Sequence, residues 1–506
     1  MRHTDLVHPR SLPLGLAAIA LTLSACGVFT ETTERAGEVD NERVQDDVEE
    51  IESEPNEDFP IGTREEDTVE EDPVEESTPD GSTPDGSTEQ LDEIIDDVEA
   101  SEEEPVELLP APEITLREID GATPEVIEHI ANVEAFWTEV AVELDFEYVE
   151  VDVDRLFPRS TIGDDGEDTC SFRRIVEPLD ADVAEFNAYV APCSEGITVV
   201  WDDILLETDL EERFPGVGMA MLISHEWGHV VQLERQQVNQ SDIVAEQQAD
   251  CYSGAYAAWA EDRGIEPFTS DQALDFAIIS TLETRDAVGS RPEAFGAHGN
   301  GFDRVRATQD GYDRGVTFCA GYDVTPPPVT QTGFTTARDR QNEGNLSFDD
   351  AFELLVPAVV DYYESLSSES LEEFVDEPDE RILRNLHATI GDLSVGTEYA
   401  LRYGAALQEA NGDAIAGVGP ALKRACLACS FLNDARLNGI EVEVPSINDP
   451  TELELTTLTL SPGDLDEAIT TLTSSDELLS NPGVVFEMVA ALRVGTLDGI
   501  DACALA

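Results

Sequence analysis

The run Met219-Ala220-Met221-Leu222-Ile223-Ser224-His225-Glu226-Trp227-Gly228-His229-Val230-Val231 constrains this chain more than any other stretch. Its apolar flanks specify a buried helix, yet it carries two histidines and a glutamate, and buried polar groups need partners. Residues four apart share a helix face, so His225 and His229 can hold one metal ion. Glu226 projects beside that position, where its carboxylate can take a proton from water. Gly228 costs about 1 kcal/mol against alanine in a helix interior, which points to a close neighbour there. An H-E-x-x-H also arises by chance on surface helices, but the flanks argue against that origin here.

A catalytic zinc takes three protein ligands and leaves one position for water. Downstream, Ser241 or Asp242 opens a helical pattern that runs to Gly264. Glu246 and Asp250 lie one turn apart on it. In this arrangement Glu246 is the third ligand. Asp250 accepts a hydrogen bond from the outer ring nitrogen of a ligand histidine, His225. Elsewhere in so acidic a chain two such residues would read as solvated acids. Here Ala245, Ala249, Gly254, Ala255, Ala257 and Ala258 suit close helix packing.

Three blocks together resemble the bacterial neutral zinc metallopeptidases. They are His225-Glu226-Trp227-Gly228-His229, the segment Glu246 to Gly254 with Ala249-Asp250-Cys251-Tyr252, and His298-Gly299 with Gly301 and Arg304-Val305-Arg306 before Gly311-Tyr312. The resemblance covers roughly residues 125 to 320. It implies an α+β, zincin-like fold: a small sheet, an active-site helix and a second helix supplying a glutamate ligand. It also implies peptidase activity with one Zn2+ per chain. It places Cys170 and Cys193 before the zinc helix, and Cys251 and Cys319 at either end of the following helical segment, and pairs them so. Of the remaining cysteines, Cys503 pairs with Cys426 or with Cys429. Cys426-Leu427-Ala428-Cys429 would permit redox or zinc chemistry, but with no second such pair nearby a structural bridge is the simpler expectation.

Residues 1–25 read as an export signal: Arg2 and Arg10 precede an apolar stretch from Leu12 to Leu23. Leu23-Ser24-Ala25-Cys26 resembles a bacterial lipobox, which implies lipidation of Cys26 and anchoring at the outer face of the cell membrane. Residues 26–112 form an acidic tether. Between 31 and 110 it has 33 acidic and 3 basic residues and includes a repeated Ser-Thr-Pro-Asp-Gly. That composition cannot bury enough surface to fold alone. Lys423 is the only lysine, and the whole chain carries a formal charge of −84. Such a field repels phosphate backbones, so no nucleic-acid partner is expected. An acid-rich, lysine-poor surface also points to a salt-adapted organism.

The folded remainder divides at Pro326-Pro327-Pro328 into a peptidase domain, 113–322, and a mostly helical region, 323–506. In the first, Thr123 caps a helix from Pro124 to about Leu144, and Phe146–Val151 alternates like a strand. Ile197–Trp201 is a β-rich run that in zincin-like folds forms the sheet edge above the metal; an interior strand fits it nearly as well. Helices follow near 271–286 and 302–314. The second region should hold helices near 348–366, 371–374, 379–387 and 401–409, one opened by Pro462, and one at 484–494. His298 stands in a glycine-rich turn. It either caps the helix near Phe302 or, as the zincin resemblance implies, stabilises the oxyanion on an attacked carbonyl. The resulting expectation is a membrane-tethered zinc metallopeptidase acting on a peptide or protein, with Glu226 as general base. The alternatives are an inactive zincin-like surface lipoprotein serving as a binding or structural module, and a hydrolase of non-peptide amides such as cell-wall material.

Overall fold

The computed structural model describes residues 108–163, 169–172, 175–237, 240–445, 453–474 and 483–503. The export signal, Cys26 and most of the tether lie outside the described residues. Among the described residues helix predominates, with strands confined to two small sheets, an α+β arrangement. Among the described residues no helix is long and apolar enough to cross a membrane.

The first helix, α1 (Pro124–Val140), starts where Thr123 accepts from the Val126 amide and Pro124 supplies a preset φ. A short helix, α2 (Leu206–Arg213), leads to the motif helix, α3 (Val217–Glu234). Nearly every residue from Val217 to Val231 is buried, as an all-round apolar helix requires. It packs on α1 and on one face of the larger sheet.

That sheet has strand order β1-β5-β4-β2-β3, with β1 at Leu156–Pro158, β2 at Thr169–Phe172, β3 at Ile175–Pro178, β4 at Ala188–Cys193 and β5 at Gly196–Trp201. β5 runs parallel to β1 and antiparallel to β4. The edge position expected for Ile197–Trp201 is therefore wrong: this strand is interior, and the three-residue β1 occupies the edge beside it. Phe146–Val151 is not a strand either. It lies against α1 and the motif helix, where the Val151 amide donates to Glu134 at 3.2 Å and Tyr148 accepts from Trp227 at 2.8 Å. Those contacts use the alternation without a strand partner.

Helix α4 (Asp242–Asp262) crosses the motif helix, followed by α5 (Ala273–Glu283) and α6 (Gly301–Ala320). A Cβ on Gly228 would sit 2.8 Å from the Ala249 Cα, so this glycine sets the separation of α3 and α4. Gly254 and Gly311 do the same for α4 and α6: either Cβ would overlap a backbone carbonyl, of Thr308 or Cys251. Disulfides join Cys170 to Cys193, Cys251 to Cys319 and Cys426 to Cys503, while Cys429 is a buried free thiol.

The helices of the C-terminal region include Phe348–Leu366, Glu380–Thr389, Leu393–Asn411, Val418–Leu437, Asp464–Thr473 and Val485–Asp498. The helix at Val418–Leu437 and the two-stranded sheet Ile440–Pro445/Leu453–Leu458 were not expected from the sequence. The core of this region takes in Ile278 and Leu282 of α5 and Phe302 and Val305 of α6. The two halves also cap each other's helices. Asp275 of α5 accepts from the Gly483, Val485 and Phe486 amides at 2.8, 2.9 and 3.1 Å, closing the N-terminus of the last long helix. Asp466 accepts from the Gly301 and Phe302 amides at 3.1 and 2.9 Å, closing the N-terminus of α6.

Candidate metal centre

His225 and His229 lie one turn apart on α3, and Glu246 faces them from α4. Three atoms converge: His225 Nε2, His229 Nε2 and Glu246 Oε2, each 3.2 Å from the other two. A tetrahedral ion with bonds of ~2.0 Å needs ligand atoms ~3.3 Å apart, so this triangle has the dimensions of one face of a tetrahedral site. Two imidazole nitrogens and one carboxylate oxygen are a donor set that could hold a metal ion such as zinc.

Each ligand is held from behind. His225 Nδ1 meets Asp250 Oδ1 at 2.8 Å. Asp250 in turn receives both arms of the Arg304 fork, Nε at 2.9 Å and a terminal nitrogen at 2.8 Å, and Arg304 also donates to the Thr284 carbonyl. His229 Nδ1 meets Gln232 Oε1 at 2.9 Å, and Gln232 donates to the Ala245 carbonyl at 2.7 Å and to Gln248 at 3.1 Å. These contacts fix the ring orientations and direct both Nε2 atoms to one point. Arg304 stood in one of the three sequence blocks without an assigned role. Gln232 could have been found as the residue one turn beyond His229.

The electrostatics favour positive charge at the centre. Burial works against the protonated His225 ring, but Asp250, Glu246 and Glu226 outweigh it and push its pKa up to about 10. His229 moves up likewise: burial opposes, and Glu246 prevails. Burial would raise the Glu246 carboxyl, but His229 and His298 hold it well below the usual range. Asp250 is held down to about 2, against burial, by Arg304 and His225. The same negative surroundings that raise both histidines would favour a cation at this point.

Glu226 is fully buried, one residue from His225, and its charge acts on both histidines. His298 is also buried, on the loop between α5 and α6. Its Nδ1 lies 3.2 Å from Asp286 Oδ1, and its Nε2 lies 4.0 Å from Glu246 Oε2 with no hydrogen-bond partner among the described residues. It thus stands outside the ligand triangle, with a free nitrogen beside it. Asp286 organises this loop: it accepts from the His298 and Gly299 amides and from Gln331 Nε2 at 3.0 Å. Neither Asp286 nor Gln331 carries a recognisable sequence signal. The chain matches no family model, no curated protein and no solved structure.

Proposed function

We propose that the protein is a zinc-dependent metallopeptidase of zincin-like architecture. The observation that carries this reading is the triangle of His225, His229 and Glu246 with Glu226 packed beside it, all on two buried helices. A zinc ion in the triangle would supply a Lewis acid and lower the pKa of water held there towards ~7. Glu226 is placed to take that water's proton and pass it to the leaving amine. His298 Nδ1 faces the Asp286 carboxylate, which orients the ring and leaves Nε2 as its outward nitrogen. From its place next to Glu246 it can donate to the carbonyl oxygen as negative charge develops. Asp250, Arg304 and Gln232 orient the ligands from behind.

The same reading places the enzyme outside the cell, lipid-anchored through Cys26, with the acidic tether holding it off the bilayer. The test is metal analysis of the purified protein together with peptide-library cleavage by the native chain and the Glu226→Gln variant. We expect about one zinc per chain in both, and activity reduced in the variant by about 100- to 10,000-fold. Zinc bound with no cleavage of any peptide by the native chain would instead favour a binding or structural role. Undiminished cleavage by Glu226→Gln would remove Glu226 from the mechanism.

A further inference from the structure

Beside the segment that carries Asp286 and Asn300 lies a cavity of about 180 Å³, lined also by Gln331, Arg436 and Asp466. Its rim includes the exposed Ala287, Val288, Thr332 and Thr459, so it opens to solvent. Two polar groups in its wall are unsatisfied. Arg436 has no hydrogen bond or ion pair among the described residues, and its Nε is buried without a partner. Asp498 and Asp303 act on it only from beyond ion-pairing distance. Gln331 is 5% exposed, and its Oε1 has no partner. Its orientation is settled, because Nε2 donates to the Asp286 carboxylate and Oε1 must therefore be the free atom.

In a chain with 111 acidic and 27 basic side chains, carboxylates to pair with an arginine are plentiful. The acids that line the cavity are engaged elsewhere. Asp286 is held by His298, Gly299 and Gln331, and Asp466 by Arg285 and the start of α6. The guanidinium is thus left for an anion from outside. The free carbonyl oxygen of Gln331 needs an N–H or O–H donor, which a bare inorganic anion lacks. The size is also informative: an apolar cavity of about 150 Å³ accommodates benzene.

We propose that this cavity binds a small carboxylate that also carries an N–H or O–H donor, of the size of an acylated amino acid. Arg436 takes the carboxylate and Gln331 Oε1 takes the donor. The proposal goes beyond the metallopeptidase reading and does not depend on it, since neither residue touches the metal centre. Gln331 does, however, connect the cavity to Asp286 and so to the His298 loop.

The experiment is isothermal titration calorimetry of the full chain with N-acetylglycine, which has both groups and no free amine to chelate metal. N-acetylglycinamide lacks the carboxylate and acetate lacks the donor; these are the controls. We expect saturable binding of N-acetylglycine, and weaker binding of both controls. Arg436→Gln should weaken the binding by about 10- to 100-fold, the range for a charge-assisted hydrogen bond. Absence of binding to the native chain at millimolar concentration overturns the proposal. So does equal binding of the amide, or binding that survives Arg436→Gln, which would locate the probe elsewhere. The two controls are measured on the native protein, so the conclusion does not hang on the variant folding.

Discussion

Two clusters of three side chains each bring their ligand atoms within 4.8 Å of one another: His225, His229 and Glu246 in the first half, and Asp392, Asp464 and Glu467 in the second. Both are almost wholly buried, and they solve the problem of buried charge in opposite ways. In the first, every charged group has a partner of opposite sign or a fixed hydrogen bond, down to the Arg304 fork on Asp250. In the second, the three carboxyls have no ion pair among the described residues. They accept only from amides and a hydroxyl: Leu346 to Asp392 at 2.9 Å, Ser461 to Asp464 at 2.7 Å through both its groups, and Leu393 to Glu467 at 2.9 Å. What distinguishes the first cluster is the layer of residues that aims its atoms at one point.

The comparison can be broken most decisively at Glu246. Glu246→Ala should abolish stoichiometric zinc binding, and with it activity, as measured by metal content after dialysis. Asp250→Ala should weaken zinc by only about 10- to 100-fold. It also leaves Arg304 buried without its partner, which costs on the order of 3 kcal/mol of stability. A greater loss of zinc in Asp250→Ala than in Glu246→Ala would mean that the two acids exchange roles.

The next effect concerns His298. If its free Nε2 acts on the reacting oxygen, His298→Ala should lower turnover by about 100-fold or more, equivalent to ~3 kcal/mol of transition-state stabilisation. Zinc content and thermal midpoint should stay unchanged. A fall in stability with normal turnover would assign it to holding the loop alone.

The smallest effect separates the clusters by pH. Burial, and then the other acids of the group, push Asp464 up to about 8 and raise Glu467. Asp392 is raised by burial, against the opposing amide bonds and His387. A carboxyl that titrates higher in the folded chain binds its proton more tightly there. The stability this gives is complete below about pH 4, the range of free carboxyls, and is lost as pH rises towards about 8. The thermal midpoint should therefore fall between about pH 5 and pH 8, and fall less in Asp464→Asn, by a difference worth about 1 kcal/mol. An identical slope in the two proteins would mean that the cluster does not carry the effect.

How much of this could be read from the sequence depends on how local the signal is. His225, His229, Glu246 and Asp250 come together because two helical periods and one glycine, Gly228, suffice to place them. Asp286, Gln331 and the pairing of Arg304 with Asp250 depend on chain segments 12 to 54 residues apart, and no spacing rule reaches across them. The same limit explains the sheet. β5 reads as a strand from its β-branched run, but its neighbour β1 is only Leu156-Phe157-Pro158, too short to announce an edge. The helix Val418–Leu437 was hidden by Gly419-Pro420 near its start and by the pair Cys426 and Cys429, which invites a chemical reading. Cys429 is simply a buried core residue whose thiol is pushed up by burial.

The mutual capping of the two halves has a consequence in time. Synthesis runs from the N-terminus, so Gly301 exists 165 residues before the carboxylate that closes its helix, Asp466. Until that aspartate arrives, the first two amides of the helix bearing Arg304 have only water to bond, and the loop bearing His298 leads directly into them. The segment beside the candidate metal centre therefore gains its full set of hydrogen bonds only after Asp466 is made. The three candidate ligands are complete once Glu246 is made, 220 residues (466 − 246) before the frame around them can close.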